Sequence, residues 1–139
     1  MTCDRITSTN TNNTNINNTS YILRTLTRID QLQKEASVEN KCDGCEGSLV
    51  SRIYNTKPIS IYLCSGNMLE VSVPNTTIQT GLFRIENIQN DAVILRILYR
   101  QNDDVVCTKY TVIVGIDCIC SLQCFDPICC EECTKTCGQ

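Results

Sequence analysis

Between residues 48 and 122 the chain is a succession of short apolar runs cut by turn residues. This pattern restricts the fold more than any other feature. The runs are SLVSRIYN (48–55), ISIYLCS (59–65), MLEVSV (68–73), LFRIENI (82–88), AVILRILYR (92–100), VVCTKYTVIVG (105–115) and IDCICSL (116–122). Pro58, the Ser65-Gly66-Asn67 cluster, Pro74-Asn75, Gln89-Asn90-Asp91 and Asn102-Asp103-Asp104 separate them, as turn formers separate strands. In ISIYLC, Ile59, Ile61 and Leu63 fall on one face, with Ser60, Tyr62 and Cys64 opposite. The connections are too short for crossover helices, which argues against a parallel sheet. The pattern predicts a mainly β protein: an antiparallel β-sandwich or barrel-like domain of about 7–8 strands.

A helix is expected before the strands. Ile22, Leu26, Ile29, Leu32 and Ala36 recur at helical spacing across 20–37. Ser20 is the expected N-cap, and Arg24, Arg28, Gln31 and Glu35 lie off the apolar face. Such a helix is read as packing on the domain core. Residues 8–20 are all Ser, Thr or Asn except Ile16. That composition offers too little apolar surface to offset ordering entropy and predicts a disordered arm. The expected organisation is an arm over 1–19, one mostly β domain over 20–125 and a Cys-rich tail over 126–139.

Composition enters through the side chains that carry chemistry. Of 139 residues, twelve are Cys and none is His or Trp. Without His there is no Ser-His-Asp or Cys-His catalysis and no Cys₂His₂ finger. There is no Gly-rich phosphate loop and no nucleophile elbow. Asp117 and Glu86 could serve as acids or bases, but Asp117 reads as a turn or strand-edge residue. The chain is therefore expected not to be an enzyme, with no catalytic residues, cofactor or metal. A net charge of −3 with no basic stripe argues against nucleic acid. No run of about 18 apolar residues exists to span a membrane.

The cysteines admit three chemistries. Cys42-x₂-Cys45 and Cys130-x₂-Cys133 could supply four thiolates to zinc, but they stand too far apart for a compact ribbon. A redox Cys-x-x-Cys belongs at a helix N-terminus within a βαβ unit, whereas KCDGCEG follows the helix. Disulfide cross-linking remains, and the distribution of cysteines bears on it. Cys3 sits on the arm, and Cys42 and Cys45 follow the helix. Cys118, Cys120, Cys124, Cys129, Cys130, Cys133 and Cys137 lie in the last 22 residues, with only Cys64 and Cys107 inside the central strands. Cysteines on chain ends are better placed to join subunits than to staple a core, so these ten terminal and boundary cysteines are the cross-linking candidates. Cys118 and Cys120 share a face if they lie on a strand. Adjacent Cys129 and Cys130 are expected to reach different partners. The N-terminus, MTCDRITSTNTNNTNINNTS, lacks the basic and apolar regions of a secretory signal, which sits awkwardly with so many disulfide-forming residues.

Two segments carry a family likeness. GLFRIENIQNDAVILRIL (81–98) followed by YTVIVGIDCICSLQCFDP (110–127) resembles the C-terminal half of the CotY/CotZ/ExsY family of bacterial spore coat and exosporium proteins. The shared features are an FRIE-type strand, a strand ending in Leu or Ile, and a strand entering Cys-x-Cys-x₃-Cys near a Pro; those cysteines are Cys118, Cys120 and Cys124. The helix followed by Cys42 and Cys45 is also similar, so the likeness spans roughly 21–127. The chain departs from the family in carrying Gln89, Asn90, Asp91 and Ala92 where a dense cysteine group is familiar, and in its arm and tail. The resemblance implies a divergent structural protein that assembles with itself and with other spore coat proteins into a lattice fixed by intermolecular disulfides. It also implies a spore-surface location, reached by synthesis in the mother-cell cytosol without a signal peptide and later oxidation. A disulfide-stapled fibre, joined through the Cys3 arm, is the alternative geometry; a Cys-rich metal-binding module is the alternative from another class.

Overall fold

The computed structural model describes residues 12–39 and 54–130, with side chains over 21–36 and 54–130. The fold is mainly β and antiparallel, with one helix ahead of the strands, as the sequence pattern predicts. Helix α1 (Asn12–Glu39) precedes β1 (Ile59–Leu63), β2 (Val71–Ser72), β3 (Gln79–Thr80), β4 (Leu82–Gln89), β5 (Ala92–Gln101), β6 (Asp104–Gly115), a 3₁₀ turn (Ile116–Cys118) and β7 (Ile119–Cys124). Five strands form one sheet in the order β6-β5-β4-β1-β7, and β2 and β3 form a separate ribbon. Each strand pairing is antiparallel.

The two long hairpins follow from their turn residues. Asn90 and Asn102 each open a two-residue loop and take φ of 53° and 58°. Asn tolerates this left-handed region better than other residues with a Cβ. That geometry returns β4 into β5 and β5 into β6 with little cost. The expected run over 68–73 shortens to Val71–Ser72, and the 48–55 run lies largely outside the described residues. Strand β3 has no apolar alternation to announce it. It is held by Thr80, whose hydroxyl donates to the Leu98 carbonyl at 2.6 Å.

One face of the sheet carries the main core. Ile59 and Ile61 of β1, Phe83 and Ile85 of β4, and Val93, Leu95 and Ile97 of β5 are buried there with Ile119 of β7. Helix α1 covers this face through Ile22, Leu26 and Ile29. Each such side chain, fully buried, contributes about 1.5–3 kcal/mol. The helical stripe departs from the expected one at its C-terminal end. Leu32 is 46% exposed, while Gln33 is only 4% exposed. Positions 22, 26, 29 and 33 follow the 3.6-residue period more closely than 22, 26, 29 and 32. Gln33 is satisfied in the interior: its amide N–H donates to the Ile85 carbonyl at 2.8 Å, and its oxygen accepts from the Lys57 backbone N–H at 2.9 Å. The helix also starts at Asn12, earlier than the expected Ser20 cap, so residues 12–19 of the predicted arm are helical. Once the packed turns are nucleated, each added helical residue costs little, even for Asn and Thr. Residues 1–11 of the expected arm lie outside the described residues.

Candidate functional site: the cysteine-bearing edge and the docked tail

The opposite face of the sheet positions the cysteines. Arg84 of β4 is buried there and paired with Glu86, which also meets Arg96 of β5 at 3.2 Å. Arg84 reaches outward as well. Its Nε donates to Thr56 Oγ1 at 2.7 Å and its Nη2 to the Asn55 carbonyl at 3.3 Å. Glu86, an acid by sequence, is thus an anchor between two arginines. Arg84 fixes residues 55–56, and these in turn fix the start of the tail. Thr56 bridges Ile128, with its N–H donating to the Ile128 carbonyl at 3.1 Å and the Ile128 N–H donating back at 2.9 Å.

Asn55 completes the clamp. Its side-chain N–H donates to the Cys130 carbonyl at 2.7 Å, and its oxygen accepts the Cys130 N–H at 2.8 Å. Asn55 and Cys130 are both buried. Cys130 packs with Leu82 and Leu98 in a second, smaller core that Phe125 and Ile128 cover. The start of the segment that the sequence assigns to a Cys-rich tail is therefore held against the sheet through Ile128 and Cys130. The physical reason is an apolar strip on the back of β4 and β5 that the returning chain buries. Replacing Asn55 with Ala leaves the Cys130 amide and carbonyl without partners. It is expected to lower stability by about 2 kcal/mol, measured by urea unfolding of the oxidised protein.

Among the described residues, two disulfides form within the chain. Cys64, just after β1, joins Cys120 of β7 with Cα atoms 4.8 Å apart, and Cys107 of β6 joins Cys130 with Cα atoms 5.8 Å apart. Both separations suit a disulfide. The first follows from strand order: β7 pairs with β1, and the register Tyr62 to Ser121 and Leu63 to Ile119 sets Cys64 beside Cys120. The second follows from the docked tail, which carries Cys130 back across the sheet to β6. The bridges span 56 and 23 residues of sequence. Chain-entropy reasoning gives such loops about 4 and about 3 kcal/mol of stabilisation respectively.

Cys120 and Cys130, two of the ten cross-linking candidates, are placed in bridges within the chain. Their partners are the two cysteines that the sequence placed inside the strands. This placement also weakens the zinc quartet, because Cys130 in a disulfide offers no thiolate. Among the described residues, no group of three His, Cys, Asp or Glu side chains is placed to hold a metal ion. Cys118 sits at the end of the 3₁₀ turn rather than on a strand. Its pairing with Cys120 on one strand face therefore does not hold; Cys118 is half-buried and takes part in neither bridge. Cys3, Cys42, Cys45, Cys133 and Cys137 lie outside the described residues.

Cys124 and Cys129 remain as exposed thiols. Both are presented on pinned backbone. Cys124 ends the edge strand β7, opposite Ile59, and the next residue, Phe125, donates its N–H to the Pro58 carbonyl at 2.9 Å. Cys129 stands between Ile128, bridged to Thr56, and Cys130, clamped by Asn55 and bonded to Cys107. Adjacent Cys129 and Cys130 thus have different fates: one locks the tail and the other faces outward. A thiol held this way gives up little backbone freedom when it bonds to another chain. The sequence marks both cysteines as candidates but does not separate them from Cys120 and Cys130; strand order and the clamp do that.

Among the described residues no helix is long and apolar enough to cross a membrane. No protein-family model, curated protein or solved structure matches the chain.

Proposed function

We propose that the protein is a non-enzymatic structural building block that assembles with copies of itself and becomes fixed by disulfides between chains. The observation that carries this reading is the division of labour among the cysteines. Cys64, Cys107, Cys120 and Cys130 close the fold, while Cys124 and Cys129 are held outward on rigid backbone. Among the described residues, neither presented thiol is bonded to another cysteine of its own chain. Cross-linking joins two such thiols, one from each chain, with loss of two protons and two electrons to an external oxidant such as dioxygen. The bond lasts once surrounding thiol reductants are gone.

The resemblance of 81–98 and 110–127 to spore coat and exosporium proteins gives the setting we propose: a lattice at the spore surface, shared with other coat proteins. Synthesis in a reducing cytosol would keep the thiols open until assembly, and later oxidation would fix the contacts. Non-reducing gels of purified assemblies should show a ladder of multimers that collapses to the monomer with reductant, and electron microscopy should show sheets or fibres. A monomer under both gel conditions contradicts the proposal.

A further inference from the structure

We infer that the outer edge of β6 over residues 111–115 is a second, non-covalent contact surface, and that its partner is the same segment of a second copy, paired antiparallel. The inference rests on the self-assembly reading and deepens it by naming one interface that forms without thiols.

Among the described residues β6 is an edge strand: in the five-stranded sheet it pairs with β5 alone. An uncovered edge presents a row of backbone donors and acceptors to any strand that fits, so edges are usually guarded by charge, proline or a bulge. β6 is guarded over only part of its length. Pairing Arg96 to Thr111 and Leu98 to Cys107 leaves Thr108, Lys109 and Tyr110 opposite Ile97. This bulge is locked by Thr108, whose hydroxyl donates to the Ile97 carbonyl at 2.7 Å and accepts the Tyr110 N–H at 3.1 Å. The bulge and Lys109 guard the first part of the strand. Beyond them runs Thr111-Val112-Ile113-Val114-Gly115, with no charge, no proline and three consecutive β-branched apolar residues.

The segment is complementary to itself. Turned antiparallel about Ile113, it sets Ile113 against Ile113 of the second copy, Val112 against Val114, and Thr111 against Gly115. Val112 and Val114 already pack on the main core, so their pairs would continue that core across the seam. Ile113 lies on the other face, opposite half-buried Ile94 of β5, and is 67% exposed, the most exposed large apolar side chain among the described residues. The same two-fold brings the bulge that carries Lys109 toward the strand end of the other copy, where Asp117 is exposed in the 3₁₀ turn. Opposite charges at that position favour this register over a slipped one. The other edge, β7, fits less well as a partner for β6. It is six residues long, begins at the 3₁₀ turn and is packed against α1.

Sedimentation velocity of the full chain kept reduced, with circular dichroism monitoring the fold, reads this contact apart from any disulfide. The wild type is expected to form a reversible dimer. Ile113→Lys is expected to weaken it by roughly tenfold or more, since two like charges then meet at the two-fold, while thermal stability stays near wild type. Lys109→Asp should weaken the dimer, and adding Asp117→Lys should restore it. A wild type that stays monomeric, an Ile113→Lys chain that dimerises as tightly as wild type, or a double exchange no tighter than Lys109→Asp alone overturns the inference. None of these results would touch the disulfide ladder, which tests the other reading. Should the reduced chain lose its fold, hydrogen exchange on the oxidised protein decides instead. Amides of 111–115 should exchange more slowly in wild type than in Ile113→Lys, and equal exchange overturns the pairing.

Discussion

Replacing Phe83 with Ala is expected to destabilise the protein by about 3–5 kcal/mol, the cost of removing a large aromatic from a packed core. Phe83 is 0% exposed and lies in β4, the middle strand of the sheet, opposite Ile59 on one side and Ile97 on the other. Its face is the one α1 covers, so the void would open where helix and sheet meet. The melting temperature should fall by roughly 10 °C or more for a domain of this size. Leu32→Ala is the matched control: Leu32 is on α1 but half in water, and its loss should cost less than about 1 kcal/mol. Equal losses at the two positions would mean that α1 does not pack as described.

The second large effect concerns the exposed thiols. Replacing both Cys124 and Cys129 with Ser should remove most of the ladder seen on non-reducing gels, with stability changed by less than about 0.5 kcal/mol, as for surface positions generally. Cys120→Ser should behave in the opposite way. It breaks the bridge to Cys64 and costs about 4 kcal/mol by the loop-closure argument, yet it leaves Cys124 and Cys129 able to link chains. The two variants thus separate cysteines that hold the fold from those proposed to hold the assembly. If the Cys124/Cys129 double variant still forms a full ladder, the links run through other cysteines and the assignment of roles fails.

The sheet was legible in the sequence where local chemistry decided it. Alternation in 59–63, the Asn90-Asp91 and Asn102-Asp103 loops and the long β-branched run of β6 each specify a strand or a hairpin from neighbouring residues. The helix was legible through Ile22, Leu26 and Ile29. The expected stripe departs from the packed one at Leu32, because an apolar residue one position off the stripe resembles part of it and a buried Gln with two backbone partners is polar in sequence. The cysteine roles were less legible, for a topological reason. Cys64 meets Cys120 only because β7 adds beside β1, a placement set by packing between segments 56 residues apart. Cys130 meets Cys107 only because Arg84, Thr56 and Asn55 together draw the tail onto the sheet. Nothing local to Cys129 or Cys130 distinguishes them, although one is buried and bridged and the other faces outward.

Disulfide mapping of oxidised assemblies grown from an equal mixture of unlabelled and ¹⁵N-labelled chains tests the division of labour among the cysteines most directly. Peptide pairs within one chain carry a single label, whereas pairs between chains include mixed pairs that carry both. Cys64–Cys120 and Cys107–Cys130 should appear only as single-label pairs, and linked peptides containing Cys124 or Cys129 should include mixed-label pairs. Mixed-label Cys120 or Cys130 peptides, or the absence of any mixed-label peptide containing Cys124 or Cys129, would contradict it.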